Sequence, residues 1–350
     1  MAQPRRLTDA WMLGGLRVPN RVLLAPLAGI GNWFVRLQAK RYGAGMAVSE
    51  MISSHAIHHG NAKTCTEMLR IDERERRSGP VAIQLFGEDP QIMHAAASHV
   101  ARAGADAIDI NMGCPVPKVR KTGAGAELLA DPERAVAVAA ATVEGATTDG
   151  RRLPVTVKLR CGLRRGDHSG VALAHRLVAE AGVRAITIHP RSAEVHHKGS
   201  PDYAIAGELA RSLPAPVILT GGLDTAPRVR EAFEATGVDA VMLARGALGN
   251  PWLFDALLAG TEREPTRAQI VDELQWTIER AVEHLGEPRA TRYLRKFYPW
   301  YVERLGLSRE ALHELQAELQ SAKTIAHARQ LLAAAIAPDA TAAPHLAAAS

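Results

Sequence analysis

The sequence predicts a (β/α)8 barrel followed by a small C-terminal α-helical domain. Three observations lead there. Eight short apolar, β-branched runs recur along residues 22–244. Most neighbouring runs are separated by a stretch long enough for a crossover helix, and the strand pattern stops after Gly260-Thr261-Glu262-Arg263-Glu264-Pro265. Near-continuous apolar strands alternating with helices indicate a parallel sheet covered by helices, and a closed barrel of this kind occupies about 250 residues. A doubly wound open sheet is the alternative on the same pattern. The chain of 350 residues therefore reads as a barrel over 1–260 and a helical domain over 265–340. Its Ala-rich end, 341–350 with Pro344, reads as a disordered tail.

In chain order, the strands are Val22–Leu27, Met46–Met51, Val81–Phe86, Ala107–Met112, Val155–Arg160, Ala185–His189, Val217–Thr220 and Ala240–Ala244. The clearest helices are Pro90–Ala103, Pro132–Glu144, Ser169–Ala181 and Pro227–Ala235. Proline opens three of these, where its missing N–H has no intrahelical partner to lose, and Gly104, Gly145, Gly182 and Gly237 follow their ends. Residues 52–80 are too long for one tight connection and end in the charge run Arg70–Arg77, expected as a solvated face. Beyond the barrel, Ala268–Leu285, Pro288–Leu305 and Arg309–Ala335 carry helical periodicity.

Composition narrows the function classes. Lys and Arg outnumber Asp and Glu by 42 to 37, for a net charge of +5, a mild lean towards a polyanionic partner. Cys65, Cys114 and Cys161 form no C-x-x-C pair, which argues against a disulfide framework or structural zinc and for the cytoplasm. No apolar run approaches the roughly 18 residues of a membrane span, and residues 1–10 lack a signal core. His55, His58 and His59, or His196 and His197, have no carboxylate or cysteine to complete a metal set, so no metal is expected. Gly43-Ala44-Gly45 and Gly123-Ala124-Gly125 lack the third glycine of a dinucleotide-binding turn.

The most informative segment is Asn111-Met112-Gly113-Cys114-Pro115-Val116-Pro117-Lys118, which places a lone thiol at the carboxyl end of the fourth strand. That is the end where barrel enzymes keep their chemistry. Gly113 permits conformations barred to other residues and Pro115 fixes its own φ, so the thiol is held at a tight exit. A buried, inert cysteine is the alternative reading of the segment alone. The other strand ends are also polar: Ser49 and Glu50, Gln84, Lys158 and Arg160, His189 and Arg191. Buried polar groups left unpaired cost a few kcal/mol each, about 1–3 kcal/mol from mutational data, so a set of them at one end indicates a polar ligand across the mouth. Thr220-Gly221-Gly222 after strand 7 and Ala244-Arg245-Gly246-Ala247 after strand 8 occupy the positions where this fold cradles a phosphate.

Taken together, Ala25-Pro26-Leu27-Ala28-Gly29, Val48-Ser49-Glu50-Met51, Gln84-Leu85-Phe86-Gly87, Asp109–Pro115, Val157-Lys158-Leu159-Arg160, Ile188-His189-Pro190-Arg191, Ala244-Arg245-Gly246 and Pro251-Trp252-Leu253-Phe254 fall in the order of a known family. From about Asn20 to the C-terminal helices the chain resembles the tRNA-dihydrouridine synthases, nearest the bacterial B-type subgroup. Asn-Met-Gly-Cys-Pro with Lys118-Val119 is specific to them, whereas the other motifs are shared with FMN barrels more widely. The resemblance implies FMN at the barrel mouth, with Pro26, Leu27 and Ala28 along the isoalloxazine ring and Gln84, Lys158 and His189 at its polar side. It implies a phosphate held by Thr220, Gly221, Gly222, Ala244 and Arg245. NADPH (or NADH) would reduce the flavin, a hydride would pass to C6 of a tRNA uridine, D-loop uridines being the expected targets, and Cys114 would give a proton to C5. Thiols of ordinary pKa, about 8.5, are mostly protonated at neutral pH, as that role requires.

The extruded base would be read by Asn111, Arg160 and Arg191, with His189 beside them, and neighbouring phosphates by Lys118, Arg120 and Lys121. In the helical domain Arg289, Arg292 and Lys296 are expected on one helix face towards tRNA. The chain departs from the family pattern in places: Leu27 stands for Met, Gly31-Asn32 for Thr-Asp, and Thr220-Gly221-Gly222-Leu223-Asp224 where Asn-Gly-Asp is usual. The stretch His196–Tyr203 is an altered substrate-loop pattern. Two alternatives are kept: another FMN barrel oxidoreductase acting on a small pyrimidine or enone, and a non-catalytic RNA-binding barrel.

Overall fold

The structure, a computed structural model, describes residues 5–336 apart from 149 and 263. The expected tail over 341–350 lies outside the described residues. These fall into two compact units, one within Met1–Ala247 and Pro251–Arg263, the other within Leu248–Asn250 and Glu264–Ser350.

In the first unit eight parallel strands close into a barrel, β1 (Val22–Leu24), β2 (Met46–Ser53), β3 (Val81–Phe86), β4 (Ala107–Met112), β5 (Val155–Arg160), β6 (Ala185–His189), β7 (Val217–Thr220) and β8 (Ala240–Leu243). Each strand pairs with its sequence neighbours and β8 returns to β1, which excludes the open sheet. Pro26, without an N–H, ends the first run early, after the Ala25 amide has bonded to the Leu243 carbonyl at 2.8 Å.

The amino end of the barrel is filled by Leu23, Ala25, Met46, Val48, Ala82, Ala107, Ala185, Ile218, Ala240 and Met242, together with Trp11, Leu13 and Val18. The last three come from an antiparallel hairpin, Trp11–Leu13 with Leu16–Val18, that the sequence reading did not anticipate. The small alanines at the starts of β3, β4, β6 and β8 leave volume that Trp11 and Leu13 fill, as close packing requires. This leaves the carboxyl end of the barrel for polar groups.

The charge run Arg70–Arg77 is a solvated face only in part: Glu73, Arg74, Arg76 and Arg77 are exposed, whereas Asp72 and Glu75 are buried. Helix Trp33–Arg41 places Trp33, Arg36 and Lys40 along one side, at i, i+3 and i+7. Arg36 Nε and Nη2 donate to the Glu75 carboxylate at 2.5 and 3.0 Å with both side chains fully buried. Its remaining donors take the carbonyls of Gly31 at 3.1 Å and Arg70 at 2.8 Å. Lys40 Nζ donates to the carbonyls of Glu75 and Gly79 at 3.0 and 2.5 Å, and burial holds its pKa down at about 8. Arg70 and Arg74 sit 4.8 and 4.6 Å from the Trp33 ring. The charges pack because each donor has a fixed acceptor, which a composition-based reading of a charged octapeptide does not reveal.

The second unit holds helices Arg267–Leu285, Glu287–Leu294, Tyr298–Val302, Arg309–Ser321 and Ile325–Ala334. Two single helices expected from periodicity are thus each divided. Pro299 cannot donate to the Arg295 carbonyl, which accepts from Gln320 Nε2 at 2.7 Å instead, so the chain turns between Leu294 and Tyr298. Thr324 accepts from the His327 amide and starts a new helix after Ala322 turns extended.

We expect Arg36→Met to lower stability by about 3–5 kcal/mol in urea unfolding, because Glu75 is left charged and buried without its partner. Arg36→Met with Glu75→Leu should recover most of that loss. Equal destabilisation in the single and double variants would show that the pair is not what holds this segment.

Candidate active site

Parallel register stacks polar residues in rows around the inside of the carboxyl half of the barrel. Gln84, Asp109 and Thr156 are successive partners across β3, β4 and β5. One step higher, Asn111, Lys158 and Thr187 are partners across β4, β5 and β6, and above them Arg160 pairs with His189. The period of two along a strand keeps each column on the same face.

The rows are joined by directional hydrogen bonds. Buried Asp109 accepts from Gln84 Nε2 at 2.6 Å and from Thr156 Oγ1 at 2.5 Å. Gln84 Oε1 then accepts from Asn111 Nδ2 at 2.9 Å, and Asn111 Oδ1 accepts from the amides of Gly113 and Cys114 at 3.2 and 2.9 Å. Burial pushes the Asp109 carboxyl up to about 6, against the opposing pull of Thr156, Gln84 and Lys158. A bulge in β2 between Val48 and Met51 exposes the Gln84 amide, which Ser49 Oγ satisfies at 2.9 Å. Glu50, in the same bulge, accepts from the Gly29 amide at 2.8 Å and so fixes the loop that carries half-buried Pro26, buried Leu27 and exposed Ala28.

Cys114 sits half-buried at the mouth, whereas Cys161 is buried. The Cys114 carbonyl accepts from the Ala126 amide at 3.0 Å, and Gly125, at φ +64°, lies where a Cβ would come 2.9 Å from that oxygen. Arg160 is buried and donates to the carbonyl of Gly113 at 2.9 Å, of Ser192 at 2.9 Å and of His196 at 2.7 Å. It therefore ties the cysteine loop to the loop spanning 192–200. Burial lowers its pKa to about 10, which leaves it charged. Arg191 Nε and Nη2 donate to the Gly199 carbonyl at 3.2 and 2.6 Å, while Nη1 meets His189 Nε2 at 3.1 Å. Asn111, Arg160 and Arg191, expected to read a substrate, are thus occupied by the protein's own groups, a demand that strand-end position alone does not disclose.

Burial, with the charges of Lys158, Arg160 and Arg191, drives the His189 pKa far below its ordinary value. The ring is neutral, so Nε2 accepts from Arg191 and Nδ1 carries the hydrogen. His197 stacks on it with centroids 5.9 Å apart, and burial followed by the Arg245 charge lowers its pKa to about 4.

Two polar groups inside the barrel mouth, neither of them exposed, have no partner among the described residues. The Lys158 ammonium, half-buried, makes no hydrogen bond or ion pair among the described residues, and burial lowers its pKa to about 8. Its register neighbour Thr187 has a buried hydroxyl that is also unsatisfied. Paired deficits of this kind mark where a polar ligand completes the site. After β7, Gly221 at φ +102° has no room for a Cβ against the His189 ring, and Gly222 lies at φ +73°. Tyr203 Oη donates to the Gly221 carbonyl at 3.0 Å, and Thr220 Oγ1 to Met242 O at 2.8 Å. Ala244 is half-buried, and Arg245 is exposed with no partner among the described residues.

Lys118 and Lys121 are exposed beyond the cysteine, whereas Arg120 pairs with Glu127 at 2.6 Å. In the second unit Arg289 and Arg292 share one helix, and Lys296 lies in the turn past its end with Nζ 5.1 Å from the Tyr293 ring. All three are exposed. Asp109, Thr156, Thr187 and Tyr203 were not singled out from sequence. A carboxylate inside the apolar run Ala-Ile-Asp-Ile-Asn-Met was the available signal for the first.

A family model described as dihydrouridine synthase (Dus) matches residues 23–340. The tRNA-dihydrouridine synthase B of Xanthomonas axonopodis pv. citri is 34% identical over 296 residues, 83% of this chain and 86% of the relative. That of Pseudomonas aeruginosa is 34% identical over 308 residues, 85% and 88% of the two chains. Among solved structures, morphinone reductase aligns with a TM-score of 0.54 at 18% identity, over 77% of this chain and 93% of its own. The old yellow enzyme homologue from Zymomonas mobilis gives 0.55 at 15%, over 75% and 95%. These two likenesses are of fold.

In Arg160→Leu we expect the amides of His196 and Lys198, hydrogen-bonded within their loop, to exchange with solvent at least about tenfold faster, since each charge-assisted bond contributes about 1.5–3 kcal/mol. Unchanged exchange would show that the loop holds without Arg160.

Proposed function

On the premise that the chain belongs to the dihydrouridine synthase family, we propose a function for each group at its barrel mouth. The protein is a tRNA-dihydrouridine synthase, a flavin-dependent oxidoreductase that reduces uridine in tRNA. The observation that carries the finer reading is the half-exposed Cys114, held through both its amide and its carbonyl beside the unpaired Lys158 ammonium.

The flavin is FMN, and the residues fit it. Lys158 offers a positive charge without a partner to a polar ring edge, and the neutral His189 offers a donor at Nδ1. Gln84, fully buried and bonded to Asp109 and Asn111, supports the strand ends beneath the ring. Pro26, Leu27 and Ala28 line the ring. Thr220, Gly221, Gly222, Ala244 and Arg245 hold the phosphate, where glycine backbone and a free guanidinium suit an anion. When bound and reduced by NADPH or NADH, the flavin supplies the hydride that adds at C6 of the uracil. Cys114 holds the proton that C5 then needs, and Asn111 keeps its backbone in place. Arg160 and Arg191 fix the loop over the base rather than reading it.

Lys118 and Lys121 meet tRNA phosphates, with Arg120 able to exchange Glu127 for one. The helical domain over 265–340 adds tRNA affinity through Arg289, Arg292 and Lys296, and the barrel over 1–260 carries the chemistry. Among the described residues no helix is long and apolar enough to cross a membrane, and three free cysteines suit a cytoplasmic protein.

Two outcomes test this reading. Cys114→Ala should keep flavin and tRNA affinity and still be reduced by NADPH, while reoxidation of its flavin by tRNA slows by about 10²–10⁴-fold, the usual share of a general acid. Reoxidation at the wild-type rate in rapid mixing would remove Cys114 as the acid. Flavin affinity should weaken as pH rises through about 8, because Lys158 then loses the proton that makes it a cation. In Lys158→Met that dependence should vanish; its persistence would place the titrating group elsewhere.

A further inference from the structure

Asp109 is the buried charge to which the reaction itself assigns no part. It lies in the middle of an apolar strand, and a carboxylate can only accept hydrogen bonds. Gln84 must therefore turn Nε2 towards it, which leaves Oε1 for Asn111. Asn111 must in turn direct Nδ2 to Gln84, which leaves Oδ1 for the amides of Gly113 and Cys114. A carboxamide rotated by 180° has almost the same shape. With either amide reversed, Asn111 would set an N–H group against those two backbone N–H groups, and the cysteine loop would lose both anchors. At the outer end the amides of Gly113 and Cys114 can only donate, so both ends of this chain of bonds demand the same direction. At the buried end Asp109 holds that direction when the loop moves, its other carboxylate oxygen accepting from Thr156 Oγ1 at 2.5 Å.

We propose that Asp109 is a positioning residue that fixes the polarity of the Gln84 and Asn111 amides and thereby holds the Cys114 thiol in place. The inference rests on the reading of Cys114 as proton donor. Its distinguishing feature is dependence on acceptor geometry rather than on charge. Asparagine at 109 still offers a carbonyl to Gln84, and the Thr156 hydroxyl can rotate to accept from the new amide. Leucine has the size but no acceptor.

The test compares Asp109→Leu, Asp109→Asn, Asp109→Ala and Cys114→Ala as flavin-loaded full-length proteins. Two quantities are read: flavin reoxidation by tRNA after reduction, and alkylation of Cys114 by iodoacetamide without tRNA, with Cys65 as internal reference. In Asp109→Leu, reoxidation should slow at least about tenfold and Cys114 alkylation should rise at least about threefold, the scale of one or two lost hydrogen bonds. Asp109→Asn should return both to within about twofold of wild type. If Asp109→Leu does not fold, Asp109→Ala removes the same acceptor with a smaller side chain, and the same changes are expected. The proposal is overturned if the folded Leu or Ala variant matches wild type in both quantities, or if Asp109→Asn is as impaired as the variant without an acceptor. Wild-type reoxidation in Cys114→Ala would instead remove the acid assignment, and alkylation would still report whether Asp109 holds the thiol.

Discussion

A buried group that can only accept hydrogen bonds gives direction to its surroundings, and in this barrel that group is the Asp109 carboxylate. Two strands donate to it, β3 through Gln84 and β5 through Thr156. The first of these bonds orders a path outward to the backbone of Cys114. The cost of keeping a charge in the barrel interior shows in its raised pKa and in the lowered pKa of Lys158 across the adjoining row. Asp109 is satisfied within the protein and Lys158 is not. The barrel is therefore complete around its carboxylate and incomplete around its ammonium, the place proposed above for an electron-rich flavin edge.

Around this centre the remaining charges are predominantly positive and tightly held. Arg160 bridges two loops through three carbonyls, and Arg191 secures the second loop through Gly199 while polarising His189. Carbonyl acceptors leave the arginine charge intact, so the mouth keeps a positive field while its loops are fixed. Such a field suits a polyanion approaching from outside, and it adds to burial, the larger cause, in keeping His189 neutral. On the outer face of the barrel, the Arg36–Glu75 pair uses the same device of a fully satisfied buried cation, here to fasten residues 70–79 against the first helix.

The strands were legible because each is a short apolar run bounded by turn residues, and period and length suffice to define such a pattern. Seven of the polar strand ends that mark the site, from Ser49 to Arg191, were legible for the same reason, since a polar residue finishing a buried run stands out. What remained hidden was pairing. Nothing in the order of residues says that Arg160 reaches Ser192 and His196, or that Glu75 meets Arg36 across 39 positions. The hairpin at Trp11–Val18 was missed because its strands are three residues each, below the length at which alternation registers. The divided helices were missed because helical periodicity continues through Pro299 and Thr324, and only hydrogen-bond accounting at those points breaks it.

Fold, thiol and unpaired ammonium together support one account: a flavin barrel that adds hydrogen across the C5–C6 bond of a uridine presented by tRNA. Its most direct test is mass mapping of uridines in unmodified tRNA after incubation with the purified flavin-loaded protein and NADPH, with free uridine treated in parallel. The expected result is a gain of two hydrogens at defined uridines of folded tRNA, with none in free uridine. No gain in tRNA, or equal reduction of free uridine, would contradict the account.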